Sequence, residues 1–511
     1  MADTGDLNAY VKARVADADG AVAIAATHYE RALADAPANP VVAVRAYREA
    51  LEAGDIALAT RAAAVLDAAG VAPADVALLP LADAARRGDA RAADAAIAKL
   101  ATGPLGVLVP ALTGWTVFVR GGDPAAALAG GSKDLIAGRF ATEARGLLLI
   151  ADGKTDQGIV TLTTELRMPA DLRIAAAQLL FDKGKDDSAR TLLEGSDPVF
   201  VALRAGAPAK PTLAFGVSRT LLRIAADLSG GTPSPLSIAL IQAALTADPG
   251  YDRSRILLAE VLGKRGAVAR ALAVLDGVDA NGPFAGAAAA ERVTILTDAG
   301  RDPEALVIAA TRADRPDADA SALQRYADLL MNADRPAEAA TYYRRAMESG
   351  KLGDNWTAWL QIGSALDRAG RWPEAREALE KAVARGPDQP LALNYLGFAR
   401  VEHGEDLPGA TALLARAAAL DPANASIVDS LGWAYHLGGD TRRALPLLER
   451  ASINEPANAE IGEHLGDAYW TLGRRYEARY AWRAAQVTAA GDDTARLATK
   501  IADGLPTGAR R

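Results

Sequence analysis

Residues 429–435 read Asp-Ser-Leu-Gly-Trp-Ala-Tyr, and residues 463–470 read Glu-His-Leu-Gly-Asp-Ala-Tyr-Trp. Their Leu-Gly pairs, 431–432 and 465–466, lie 34 residues apart. Leu396-Gly397 sits 35 residues upstream of the first, and Ile362-Gly363 another 34 before that. Each pair is followed by a glycine (Gly370, Gly404, Gly439, Gly473) and then by an alanine (Ala375, Ala410, Ala444, Ala478). A second alanine follows at 382, 417, 451 and 485, and Pro387, Pro422 and Pro456 close three of the units. Several residue types repeating at fixed offsets mark a structural repeat rather than a bias of composition.

The chemistry of each position points to a helix-turn-helix. Trp359 or Ile461, Leu431 or Leu465, and Tyr435 or Tyr469 recur at helical spacing and form one apolar stripe. Gly432 and Gly466 allow a second helix to cross closely, with Ala444 and Ala478 as the matching small surface. Gly439 and Gly473 break the chain between helices, and Pro-Ala-Asn at 422–424 and 456–458 supplies an asparagine cap to the next helix. One such unit cannot bury its own face, so neighbours must stack. This grammar resembles the tetratricopeptide repeat (TPR), and the resemblance implies an all-α solenoid wound as a right-handed superhelix.

The inter-helix glycine extends the register towards residue 1. Gly20, Gly54, Gly88 and Gly122 fall 34 apart, each followed five residues later by alanine. Gly153 and Gly184 continue with a shorter spacing, and Gly230 precedes a Thr-Pro-Ser-Pro interruption. From Gly266 the ladder resumes through Gly300, Asp334 and Gly370. These anchors predict about 14 helix pairs. We expect an array over 1–204 that degenerates after about 130, a second over 213–486 that is most regular from 358, and a capping helix with a frayed tail over 487–511. The Pro/Gly-rich stretch 206–211 reads as a soft boundary, and units near Gly153, Gly184 and Gly230 are expected to pack loosely.

Composition removes several function classes. The 511 residues carry 56 basic and 64 acidic side chains, a net charge of −8 without a basic block, which argues against a nucleic-acid partner. No apolar run reaches the length of a membrane span, and Asp3, Asp6, Asp17 and Asp19 do not suit a signal peptide. Without cysteine there is no disulfide, thiolate metal site or cysteine nucleophile. Nucleophile-elbow, phosphate-loop and zinc-protease motifs are absent, so neither catalytic residues nor a cofactor or metal is expected. His403, His436 and His464 fall on successive units but at different helical phases, which favours a surface or groove role over a metal site.

With the leucine stripe turned to the core, the opposite side of each first helix carries Asn394 and Phe398, then Asp429, Trp433 and His436, then Glu463, Asp467 and Trp470. The TPR resemblance implies that this face lines the concave surface, which makes these eight residues a candidate protein-binding groove. Their phase is equally consistent with Trp433 and Trp470 packing between neighbouring units.

Residues 429–435, 463–470 and the run Gly473-Arg-Arg-Tyr-Glu-Ala478 are also similar to the C-terminal end of large bacterial cell-envelope TPR proteins. Some of these are outer-membrane lipoproteins that act as adaptors of carboxyl-terminal processing proteases. The resemblance implies a non-catalytic scaffold in the periplasm or on the periplasmic face of the outer membrane, with a protease and its substrates as partners. A lipid anchor would belong to a removed leader, since this chain lacks the acceptor cysteine. A cytoplasmic TPR assembly factor or chaperone-like scaffold is the alternative that composition leaves open.

Overall fold

A computed structural model of the chain describes residues 7–164, 168–195, 197–231, 234–316, 318–349 and 354–505. Among these residues there are 30 α-helices, three short 3-10 segments and no strand, and most helices run as antiparallel pairs. The glycine ladder marks the turns. Gly20, Gly54, Gly88, Gly153, Gly184, Gly266, Gly300, Gly370, Gly404, Gly439 and Gly473 all have left-handed backbone, and Asp334 takes the same conformation with φ 55°. Two rungs differ from the expected register: the left-handed residue of the fourth turn is Gly121 rather than Gly122, and Gly230 is not left-handed.

The chain divides into two compact units, Met1–Arg312 and Ala313–Arg511. The 206–211 connection lies within the first of these units and is tied back by a hydrogen bond from Ala209 N to Gln178 O.

The second unit follows the repeat grammar closely. Its pairs run Ala320–Asn332 with Pro336–Glu348, Trp356–Arg368 with Trp372–Arg385, and Pro390–Glu402 with Leu407–Leu420. Ala425–Leu437 with Thr441–Asn454 and Ala459–Thr471 with Arg475–Thr488 follow. Asn424 and Asn458 cap their helices as the Pro-Ala-Asn motif requires, accepting from Ile427 N (3.2 Å) and Glu460 N (3.2 Å). The close crossing is real, but the partner is one turn beyond the expected alanine. A methyl group at Gly432 would stand 2.8 Å from Leu448 Cδ2, and one at Gly466 would overlap the Trp482 ring. Helix Asp492–Asp503 closes the array, and of the expected frayed tail residues 506–511 lie outside the described residues.

The first unit departs from a simple stack. Helix Leu213–Leu228 lies against Leu78–Arg87, Val109–Val119, Leu135–Ala151 and Ala170–Asp182, while Pro235–Ala247 lies against Pro40–Ala53 and Leu78–Arg87. A helix that meets neighbours on all sides must be apolar all round, and Leu213, Phe215, Val217, Leu221, Leu222 and Ala225 are all buried. Several of the polar groups carried inside find partners, although Arg219 Nε and Tyr251 OH have none among the described residues. Gln242 Nε2 donates to Leu51 O (2.6 Å), and Arg219 pairs with Asp248 (2.8 Å) while its guanidinium lies 3.3 Å from the Tyr251 ring centre. The expectation of loose packing around Gly230 is thus corrected, because the segments flanking it form the hub of this unit. Residues 51–54 also meet Gln242, Arg265 and Arg270, so the beginning of the unit is tied to its later helices.

Candidate functional site

In the second unit the first helices of successive pairs are joined by polar and aromatic contacts that repeat with the period of the chain. Gln324 donates to Gln361 (3.3 Å), Ser364 bonds Tyr395 (2.7 Å), and His403 Nε2 bonds Asp367 (2.8 Å) while its ring stacks on Trp372 at 4.2 Å. One pair further on, Trp433 Nε1 donates to Glu402 (3.2 Å) and His464 Nδ1 meets Asp429 (2.8 Å).

The indole of Trp433 is the centre of this row. It stacks on His464 at 4.0 Å with planes 11° apart, and on His436 at 5.1 Å and 15°. Two histidines that differ in helical phase therefore converge on one ring, because one comes from the tryptophan's own helix and the other from the next pair. Trp433 and His436 remain half-buried, whereas His464 and Asp429 are buried.

Electrostatics separates the two imidazoles. Burial, together with the charges of His464 and Lys500, pushes His436 down to about 4. Burial also pushes His464 down, but the adjacent Asp429 carboxylate, with Glu460 and Asp467, outweighs it and holds His464 above its ordinary 6.5. Replacing Asp429 by asparagine is expected to move the His464 titration from above 6.5 to below it, which an NMR titration of the ring protons resolves.

The remaining candidates divide into two groups. Asn394 and Phe398, from the first helix of the preceding pair, are half-buried, and Asn394 Oδ1 has no hydrogen-bond partner among the described residues. Glu463, Asp467 and Trp470 are instead occupied by the chain's own end. Glu463 pairs with Arg496 (2.7 Å) and Lys500 (2.6 Å), and Asp467 pairs with Lys500 (2.7 Å) while accepting from Trp482 Nε1 (2.9 Å). Trp470 packs against Gly504, with the Arg475 guanidinium 3.8 Å from its ring centre. Despite burial, the Arg496 and Lys500 charges hold the Glu463 carboxyl down at about 2. The terminal helix thus meets Glu463 and Asp467 at offsets of 33 residues, much as His464 meets Asp429 at 35. It takes the place of the first helix of a further repeat.

Glu402, Arg496 and Lys500 are the participants that the groove reading missed, and His464, given a surface or groove role, is buried against Trp433. A shift of 34 residues reaches Glu402 from His436, whereas His464, Arg496 and Lys500 stand 35, 33 and 33 residues from Asp429, Glu463 and Asp467. Among the described residues no group of three or more His, Cys, Asp or Glu is placed to hold a metal ion, and no helix is long and apolar enough to cross a membrane.

Two overlapping segments, 325–390 and 360–425, match the family model of the tetratricopeptide repeat. Residues 325–425 carry TPRs. The match ends before Trp433, but the Leu-Gly crossings and asparagine caps carry the same TPR geometry on to residue 488. No curated protein matches the chain. Among solved structures it is similar to the TPR protein TTC0263 of Thermus thermophilus, at 22% identity over 35% of this chain and 97% of that one, with a TM-score of 0.32. It is also similar to YrrB, described as a TPR protein with an unusual peptide-binding site, at 22% identity over 36% and 92% with a TM-score of 0.28. MamA matches at 22% identity over 34% and 96%, with a TM-score of 0.27.

Proposed function

We propose that the chain is a non-catalytic protein-binding scaffold whose docking face is centred on Trp433 and includes Asn394, Phe398 and His436. One observation carries the reading: Trp433 is stacked against two imidazoles and tied to Glu402, yet part of it stays open to solvent. A rigid aromatic on an exposed face loses little entropy on binding and is a strong anchor. Glu402 and Glu460 lie exposed near it and favour a partner segment bearing lysine or arginine. Asp429 fixes this face from behind, while Glu463, Asp467 and Trp470 hold the terminal helix at its edge.

The similarity of residues 429–478 to envelope TPR proteins supports the finer form of this proposal. The scaffold would work on the periplasmic face of the outer membrane and bring substrates to a carboxyl-terminal processing protease. Partners captured from an envelope extract are identified by mass spectrometry, and their affinities are then measured for the wild type and Trp433→Ala. With helicity and melting retained, the variant is expected to bind more weakly by about 2 kcal/mol. Equal affinity in a folded variant would remove the docking face. Failure of a purified protease of this class to bind would remove only the adaptor role.

A further inference from the structure

The first unit contains an open cavity of about 360 Å³ where its repeat is cut short. Helix Val109–Val119 is followed by a second helix of only five residues, Ala125–Ala129, where Ile56–Ala68 and Leu407–Leu420 have 13 and 14. The missing turns leave part of Val109–Val119 and of Leu135–Ala151 uncovered. The floor of the opening is apolar, made by Phe118, Leu128, Leu148 and Leu149.

The charges on its wall are unequal in one respect. Lys154 is paired with Asp152 at 2.8 Å, and Asp123 accepts the helix-starting N–H of Ala125 at 3.0 Å. Arg145 is exposed and makes no ion pair or hydrogen bond among the described residues. It stands on the same helical face as Leu148, Leu149 and Asp152, at offsets of three, four and seven residues, so its guanidinium borders the apolar floor. A volume of this size suits a small ligand or the last side chains of a peptide.

We propose that this cavity binds an apolar group carrying a carboxylate, with Arg145 holding the carboxylate and the Phe118–Leu128–Leu148–Leu149 floor holding the apolar part. A guanidinium presents a fork of N–H donors that matches a carboxylate in two bonds. The apolar part would cover floor that the short helix leaves open. A free organic acid and the C-terminus of a protein chain share this chemistry. The site lies in the other compact unit from Trp433, so it does not depend on the docking face proposed above.

Calorimetric titration of the full chain tests the proposal with 4-phenylbutyrate, its primary amide, an acetylated tetrapeptide ending in leucine, and that peptide's C-terminal amide. At least one acid is expected to bind, about tenfold or more tighter than its amide. Arg145→Gln should reduce the acid to the level of the amide, while Arg145→Lys keeps part of the preference. Binding of the phenylbutyrate alone identifies a free acid, and binding of the peptide alone identifies a chain terminus. Absence of binding by both acids at millimolar concentration overturns the proposal, as does equal binding of acid and amide. Should Arg145→Gln fail to fold, the wild-type comparison of acid with amide still decides.

Discussion

Trp115→Ala is expected to destabilise the unit Met1–Arg312 by about 3–5 kcal/mol, the cost of emptying a fully enclosed aromatic site. Trp115 is 1% exposed, with Phe118 and Phe215 edge-on at 6.1 and 5.7 Å. Its ring also lies so close to Gly216 that a methyl group there would overlap it. The contact joins Val109–Val119 to the central helix Leu213–Leu228, so the loss should spread through the hub rather than stay local. Hydrogen exchange resolves this by segment. Protection should fall across 78–87, 109–119 and 213–228 and stay unchanged across 390–488. A protein that keeps its protection in 213–228 would show that the hub does not depend on this aromatic cluster. Gly216→Ala perturbs the same contact from the other side by overpacking, at about 1–3 kcal/mol or more.

That hub was the part of the fold least legible in the sequence. A period-34 template reads the segment around Gly230 as degenerate because Thr-Pro-Ser-Pro follows the glycine pair and Pro235 stands where the alanine is expected. What stands there instead is a pair of helices, Leu213–Leu228 and Pro235–Ala247, apolar on most of their faces. Such helices need no repeat grammar, since they are packed by surrounding helices and not by one neighbour on each side. The regular units were legible for the opposite reason. Their turns require left-handed backbone at a fixed interval, and glycine meets that need most readily. The spacing placed even Asp334, which adopts the conformation without being glycine, but misplaced the fourth turn by one residue.

The candidate site was legible as a face but not as a set of contacts. Helical phase assigned Asp429, Trp433, Glu463 and Asp467 to one face, of which Asp429, Glu463 and Asp467 are buried and Trp433 is half-buried. Phase within one helix says nothing about the helix one period later, where His464, Arg496 and Lys500 stand. As a result, acids assigned to the candidate groove are paired within the chain. Glu463 and Asp467 are buried under Arg496 and Lys500, which leaves Trp433 and its neighbours Glu402 and Glu460 as the open part. The capping helix, expected within 487–511, spans Asp492–Asp503, and its pairing explains why a buried acid pair is tolerated there.

The second large effect is expected from pH, at the point where the start of the first unit meets its later helices. Glu49 and Glu52 on helix Pro40–Ala53 are both buried, close to Asp17 and to Arg265, which pairs with Glu52 at 2.5 Å. Burial, reinforced by Asp17 and Glu52, pushes the Glu49 carboxyl up to about 8, well above its ordinary 4.5. Burial also raises Glu52, with Arg265 opposing. A carboxyl raised in the folded state keeps its proton where the unfolded chain has already released it. The contribution of Glu49 is therefore full below 4.5, falls as pH rises, and is gone above about 8. Part of the carboxyl still reaches solvent, so the shift is discounted to roughly 2 kcal/mol of stability. Glu49→Gln removes the titration while keeping the side-chain shape. Near pH 5 the variant and wild type should be about equally stable in this unit, and near pH 9 the variant should be the more stable by that amount. Hydrogen exchange of the 40–53 helix at the two pH values measures it. Equal protection of wild type and variant near pH 9 would mean that Glu49 ionises freely in the folded chain, and that the junction with Arg265 tolerates a second carboxylate.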